Sequence, residues 1–143
     1  MIDLPGLRTH IAEAGAAAMV WGVNDCCLFV ADWVRIATAL DPAVEWRGGY
    51  VDRRGAMRLL RRRGGLLAVV SAALDDLGLP RTDDPLTGDV GVVTATIAVR
   101  RGRTIVSPVA AIRIGRLWAV KGAAGMVGAD LETIAAWRIV PNE

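Results

Sequence analysis

Between Asp25 and Leu40 the chain carries apolar residues round more than one side of a helical wheel: Leu28, Phe29, Val30, Trp33, Val34 and Ala37. A helix of that kind must be enclosed, so the remaining elements have to be arranged about it. Either Asn24 or Asp25 can serve as its N-cap, the side-chain oxygen accepting one of the unpaired first-turn amides. Gly22 supplies the entry turn. Asp41-Pro42 ends the helix, because a residue before proline is pushed out of the helical region. Cys26 then falls in the first turn, where the helix dipole and the free amides favour thiolate over thiol. Residue chemistry alone leaves two readings. Cys26 and Cys27 are small apolar side chains of a tight core, the reading it favours, or Cys26 is a nucleophile.

Taken in order, Ile2 to about Ala18 reads as a helix with Leu7, Ile11 and Ala14 at helical spacing, interrupted near Gly15. His10 on it is expected to be a surface or packing residue. Glu45 to Asp52 reads as a loop. Gly55 to Arg63 and Leu66 to Leu77 read as two short helices hinged at Gly64-Gly65, with Met57, Leu59 and Leu60 facing inward. Past Leu79 the texture changes. Pro80 to Thr87 is a polar loop, and four β-branched runs follow Gly88-Asp89: Val90 to Val99, Ile105 to Ile114, Leu117 to Val120 and Trp137 to Val140. Turn signals separate them at Arg100 to Arg103, at Gly115-Arg116 and at Gly122 to Gly128. Helices first and strands second predict an α+β fold, N-terminal helices packed on a C-terminal antiparallel β-sheet. The 143 residues suit a single domain over 1–143.

Composition removes several classes. Although 53% of residues are hydrophobic, no run approaches the roughly 20 apolar residues of a membrane span, so no membrane partner is expected. The start, Met1 to Arg8, lacks the pattern of a signal peptide, and the chain is expected to fold in a cytoplasm. Two cysteines, adjacent to each other, predict no disulfide. With one distant histidine they also predict no zinc site, and no metal or other cofactor is expected. The net charge of +2 is small for a nucleic-acid binder. Arg53, Arg54, Arg58, Arg61, Arg62 and Arg63 form a dense basic cluster. It lacks interleaved aromatics and has Asp75, Asp76, Asp83 and Asp84 not far on, so it reads as a solvated helix face rather than a nucleic-acid patch. The five tryptophans read as core and interface anchors.

An aromatic, a glycine, then Asp25-Cys26 with Phe29-Val30 following on a helix resembles the nucleophile segment of NlpC/P60 cysteine peptidases, Asp-Cys-Ser-Gly-Phe-Val, with Cys27 and Leu28 in place of Ser and Gly. The wider pattern of Trp21 to Trp33, Asp41-Pro42, Arg47-Gly48-Gly49-Tyr50 and Gly88-Asp89-Val90 resembles a family of short proteins of tailed phages and prophages. The resemblance implies an NlpC/P60-like fold with Cys26 at the nucleophile position. It also implies a histidine at the start of a strand, and there the segment Val109 to Gly115 puts Val109. The next strand, Leu117 to Val120, has no His, Asn or Gln to orient a base, and His10 does not map onto the family's base. Loss of the base should cost ~10² to 10⁴ in rate. Arg35, Arg47 or Arg113 near the thiol, or His10 folded back onto it, would be the substitutes.

Cys26 is thus expected to be a vestigial nucleophile. The expectation is a structural or adaptor component of a phage tail, in the tail-tip or baseplate region, synthesised in the host cytoplasm and carried in the virion. Its partners would be other tail proteins: hub, distal-tail or fibre components. The alternative is a cell-wall cysteine peptidase or amidase, with Cys26 as nucleophile and peptidoglycan as partner.

Overall fold

A computed structural model describes residues 1–142. Four helices, α1 (Leu4–Ala16), α2 (Cys26–Thr38), α3 (Arg53–Arg62) and α4 (Leu66–Asp76), precede five strands, β1 (Val90–Arg100), β2 (Arg103–Ile114), β3 (Leu117–Gly122), β4 (Gly125–Ala129) and β5 (Glu132–Trp137). The strands form one antiparallel sheet in the order β4-β3-β2-β1-β5. The fold is α+β.

Helix α2 lies against the sheet and is enclosed as its composition demands. Phe29, Val30, Trp33 and Val34 pack with Leu7 of α1, Leu74 of α4 and the inward residues Val90, Val92, Ala110, Ile112 and Ala119 of the sheet. Trp33 donates from Nε1 to the Gly88 carbonyl oxygen at 2.8 Å, which pins the helix to the strand entrance. The sheet also has a core on its far face. Val93, Ala111, Trp118 and Ala136 are buried there, and Trp118 crosses Gly91 so closely that a Cβ on Gly91 would sit 2.8 Å from its Cη2 and 2.8 Å from the Ala135 oxygen. Arg113 closes this face by stacking 5.1 Å from the Trp118 ring.

Two buried charged groups lock the periphery. Asp89, 1% exposed, accepts from Leu86 N, Ile139 N and Arg138 Nε at 2.8 to 3.0 Å, joining the loop before β1 to the segment after β5. Lys121, the only lysine, reaches from β3 to donate to the Ala14 and Ala17 carbonyl oxygens at the end of α1. A cation there answers both the orphan carbonyls and the negative end of the helix dipole.

Several boundaries differ from the sequence expectation. Helix α1 continues through Gly15 to Ala16; the glycine serves close packing, since a Cβ there would lie 3.1 Å from Met126 Cβ of β4. Helix α2 stops at Thr38, where Ala39 turns left-handed at φ 64°, before Asp41-Pro42 is reached. Strand β4 occupies the stretch expected to be a turn, because a short edge strand with three glycines or alanines carries little β-branched signal. The last strand ends at Trp137, where Trp137 to Val140 had been expected to pair. Beyond it, Arg138 N and Ile139 N donate to Pro80 O and Asp89 Oδ1 instead of to a ladder.

Gly91→Ala is expected to lower stability by about 1–3 kcal/mol, because the new methyl meets backbone oxygen and a buried ring. Gly128→Ala, whose Cβ would meet only Leu117 at 3.7 Å, should be near neutral. Urea unfolding of the two variants distinguishes a packed outer face from a loose one.

Candidate active site

The site begins with the N-cap of α2, and the cap is Asp25. Its Oδ1 accepts from Cys27 N at 3.1 Å and Leu28 N at 3.0 Å, holding the first turn. Its Oδ2 accepts from Gly22 N at 2.9 Å and from the Tyr50 hydroxyl at 2.6 Å. Asn24, the other cap candidate, instead closes the preceding turn through Val20 and donates from Nδ2 to Ala18 O at 3.0 Å. Gly22 has φ 82°, and a Cβ there would fall 2.2 Å from the Tyr50 carbonyl oxygen. Gly48 N donates to Gly22 O at 2.8 Å. The Arg47-Gly48-Gly49-Tyr50 segment is therefore bound to the start of α2, through backbone and side chain together.

Arg47 is held in turn by two carboxylates, with Nε 2.9 Å from Asp41 Oδ2 and Nη1 2.7 Å from Asp32 Oδ1. This ion pairing draws the Asp41 carboxyl below its usual range, with burial opposing. Asp41 also accepts from Ala43 N at 2.9 Å, fixing the turn after α2.

Both thiols are half-buried on the first turn of α2. The hydrogen bond from Cys27 to Cys26 pulls the Cys26 thiol below its ordinary value, aided by backbone N–H groups and opposed by burial and the nearby Asp25 charge. The same hydrogen bond, together with burial, pushes the Cys27 thiol well up. Burial and the Asp25 carboxylate raise the Tyr50 phenol far above its ordinary range. The two adjacent thiols act on each other, and the one drawn downward is Cys26.

The thiols open onto a cavity of about 100 Å³ between α2, the Pro42–Tyr50 turn, α3 and α4. Leu28, Val34, Leu60, Leu66, Val70 and Leu74 give its wall an apolar character. The Asp25 and Tyr50 polar atoms that reach it are bound to each other.

No base meets Cys26 where the resemblance requires one. Strand residues alternate between faces, and Val109 falls on the outer face, packed with the Val93, Ala111 and Trp118 cluster. The β2 residue that lines the thiol cavity is Ala110. That position carries only a methyl group. His10 is not folded onto Cys26. Its Nε2 donates to Phe29 O at 2.8 Å and its ring stacks on Phe29 at 5.2 Å, so it is a packing residue. The arginine substitutes are engaged elsewhere: Arg35 with Asp32, Arg47 with Asp32 and Asp41, Arg113 with Gly115 O and the Trp118 ring.

Asp25, Cys26 and Cys27 bring one potential ligand atom each within 4.8 Å of one another. Four donors already occupy the two Asp25 oxygens, so the group offers two thiols rather than a three-ligand set. All six arginines of the Arg53–Arg63 cluster are exposed on or just past α3, while Ala56 is buried on its inner side. Of the α3 residues expected to face inward, Met57 and Leu60 line the cavity beside Ala56, whereas Leu59 lies outside it among Arg54, Arg58 and Arg62; a cavity walled by α3 and α4 at the thiols has no local signal in the sequence.

Residues 4–139 match the family model described as "Domain of unknown function (DUF6950)". No curated protein and no solved structure matches the chain.

The thiol pair predicts a pH signature. Cys26 is expected to be alkylated from below the ordinary thiol range of about 8.5, whereas Cys27 should resist labelling until well above it. Because the Cys27 hydrogen bond is the main cause of the lowering, Cys27→Ala should slow Cys26 alkylation near neutral pH by roughly threefold to tenfold, shifting its profile upward. Cys27→Ser, which keeps a donor, should lose less. Rates of iodoacetamide labelling against pH, read by peptide mass mapping, check this; an unchanged profile in Cys27→Ala would remove the donor role.

Proposed function

The chain belongs to the DUF6950 family, whose description assigns no activity, and we propose from its site and surface that it is a structural or adaptor component of a phage tail, an NlpC/P60-like domain with a degenerate catalytic site. The site supports the degenerate reading. A thiol at the head of a sheet-packed helix is the frame of a cysteine peptidase, and its partner is a second thiol where hydrolysis needs an imidazole. The phage assignment rests on the motif pattern described above. Its residues brace the start of α2: Gly22, Asp25, Asp32, Asp41, Arg47 and Tyr50 hold one another.

The observation that carries the adaptor role is the outer half of the β1–β2 hairpin. Strand β5 accompanies β1 only as far as Thr94, and β3 accompanies β2 only from Ile112 onward. Between these limits the hairpin is a two-stranded ribbon, with no further strand beside it among the described residues. By the pairing register, Val99 and Val106 lie on one face of it and Ala98 and Ile105 on the other. Val99 is 67% and Val106 57% exposed. An isolated two-stranded ribbon is marginally stable in water, and apolar residues on both of its faces suit insertion between neighbouring subunits. Hub, distal-tail or fibre proteins are the partners in this reading.

The second reading, a cell-wall peptidase or amidase, is favoured by the lowered Cys26 thiol alone. It requires muropeptide release that Cys26→Ser abolishes and Cys27→Ser spares.

Val99→Asp combined with Val106→Asp puts two like charges on one face of the ribbon and should cost about 1–2 kcal/mol while the chain stays folded, yet abolish co-elution with tail proteins. The test is co-expression with the hub, distal-tail and fibre proteins of the same tail, followed by size-exclusion chromatography. Wild type that stays monomeric beside all of them would sink the adaptor reading.

A further inference from the structure

The thiol pair and the apolar cavity support a chemistry that a docking role does not use. We propose that Cys26 is a self-acylation site, taking a short acyl group from an acyl thioester and housing the chain in the cavity between α2, α3 and α4. This inference is independent of whether the chain assembles into a tail.

The argument starts from the leaving group. Cleaving a peptide expels an amine, which must be protonated as it departs, and no imidazole meets Cys26 to do so. A thioester expels a thiolate, which leaves without a proton, so the missing acid is not needed. Attack requires only that Cys26 be ionised, and its place as the first residue of α2, at the positive end of the helix dipole, favours that form without a base. In the transfer, a bond forms between Cys26 Sγ and the acyl carbon, and the bond from that carbon to the donor sulfur breaks. The proton released on ionisation of Cys26 passes through solvent to the departing thiolate. No electrons are gained or lost overall.

The cavity sets the acyl class. Its contents must be apolar, because Leu28, Val34, Leu60, Val70 and Leu74 line it and Asp25 and Tyr50 are committed to each other. An apolar cavity of 150 Å³ holds a six-carbon ring, so about 100 Å³ suits a chain of about four carbons. Each methylene moved from water into this space favours the transfer, so butyryl should outpace acetyl. Ala73 of α4 lies on the same wall, where a larger side chain would occupy the room the acyl chain needs.

The test incubates the full chain with acetyl-, butyryl- and hexanoyl-coenzyme A and follows intact mass and sensitivity to neutral hydroxylamine. One hydroxylamine-labile group is expected on wild type and on Cys27→Ser, and none on Cys26→Ser. Butyryl should be transferred about tenfold faster than acetyl, the ratio set by burying two methylenes. Ala73→Leu should erase that preference while Cys26 is still acetylated and still labelled by iodoacetamide; Leu60→Phe, on the facing helix, makes the same test if Ala73→Leu fails to fold. Equal rates for acetyl and butyryl, a butyryl rate no higher than in urea-unfolded protein, or a preference that survives both cavity-filling variants would overturn the proposal.

Discussion

Asp25 is 1% exposed, and its carboxylate is held by three backbone N–H groups and the Tyr50 hydroxyl. A charge withdrawn from water to this degree is tolerable only where donors replace the lost hydration. Meeting that condition ties the entry turn at Gly22 and the first turn of α2 to a segment far on in sequence, the one ending at Tyr50. It also fixes what lies next to it. Cys26 and Cys27 are the first two residues of the helix that Asp25 caps, so their positions relative to the cavity follow from the cap. The Arg47 bracket and the Gly48-to-Gly22 bond hold the far side of the same arrangement.

The period of the sheet decides what faces those thiols. Residues one apart on β2 look in opposite directions, so Val109 belongs to the Trp118 core and Ala110 to the cavity. A base at position 109 would therefore face away from the thiols, and neither Val109 nor Ala110 is a side chain that could accept a proton. The group that acts most on Cys26 is a neighbour in sequence, the Cys27 thiol, which draws it downward.

The elements easiest to read in the sequence were those with dense one-period signals. Helix α2 announces itself by Asp25 and its apolar girdle, and β1 and β2 by runs of valine, isoleucine and threonine. Strand β4 was hidden because Gly125, Gly128 and Ala129 offer no β-branched pattern and pairing with β3 alone makes it a strand. The Lys121 cap on α1, the Asp89 clamp and the Tyr50 bond to Asp25 span 25 to 107 residues of sequence. No local spacing encodes contacts of that range, and they could not have been read without the fold. Cys26 was legible as a first-turn thiol; the cavity it faces was not, because its walls come from α2, α3, α4 and β2 together.

A pattern of Trp, Gly, Asp, Arg and Tyr suggests a catalytic constellation when read along the chain. In three dimensions nearly every polar member is consumed by bracing: Asp25 by four donors, Asp41 and Asp32 by Arg47, Asp89 by Arg138 and two amides. Side chains so committed contribute rigidity rather than proton transfer, since a carboxylate with its lone pairs filled has none left to accept a proton from a reacting group. The groups left unconsumed are different in kind. They are a pair of thiols, an apolar cavity and a ribbon with valines on its surface, none of which needs an acid or a base. Thiol exchange and hydrophobic docking both proceed without one, so these capacities do not draw on the carboxylates that bracing consumes.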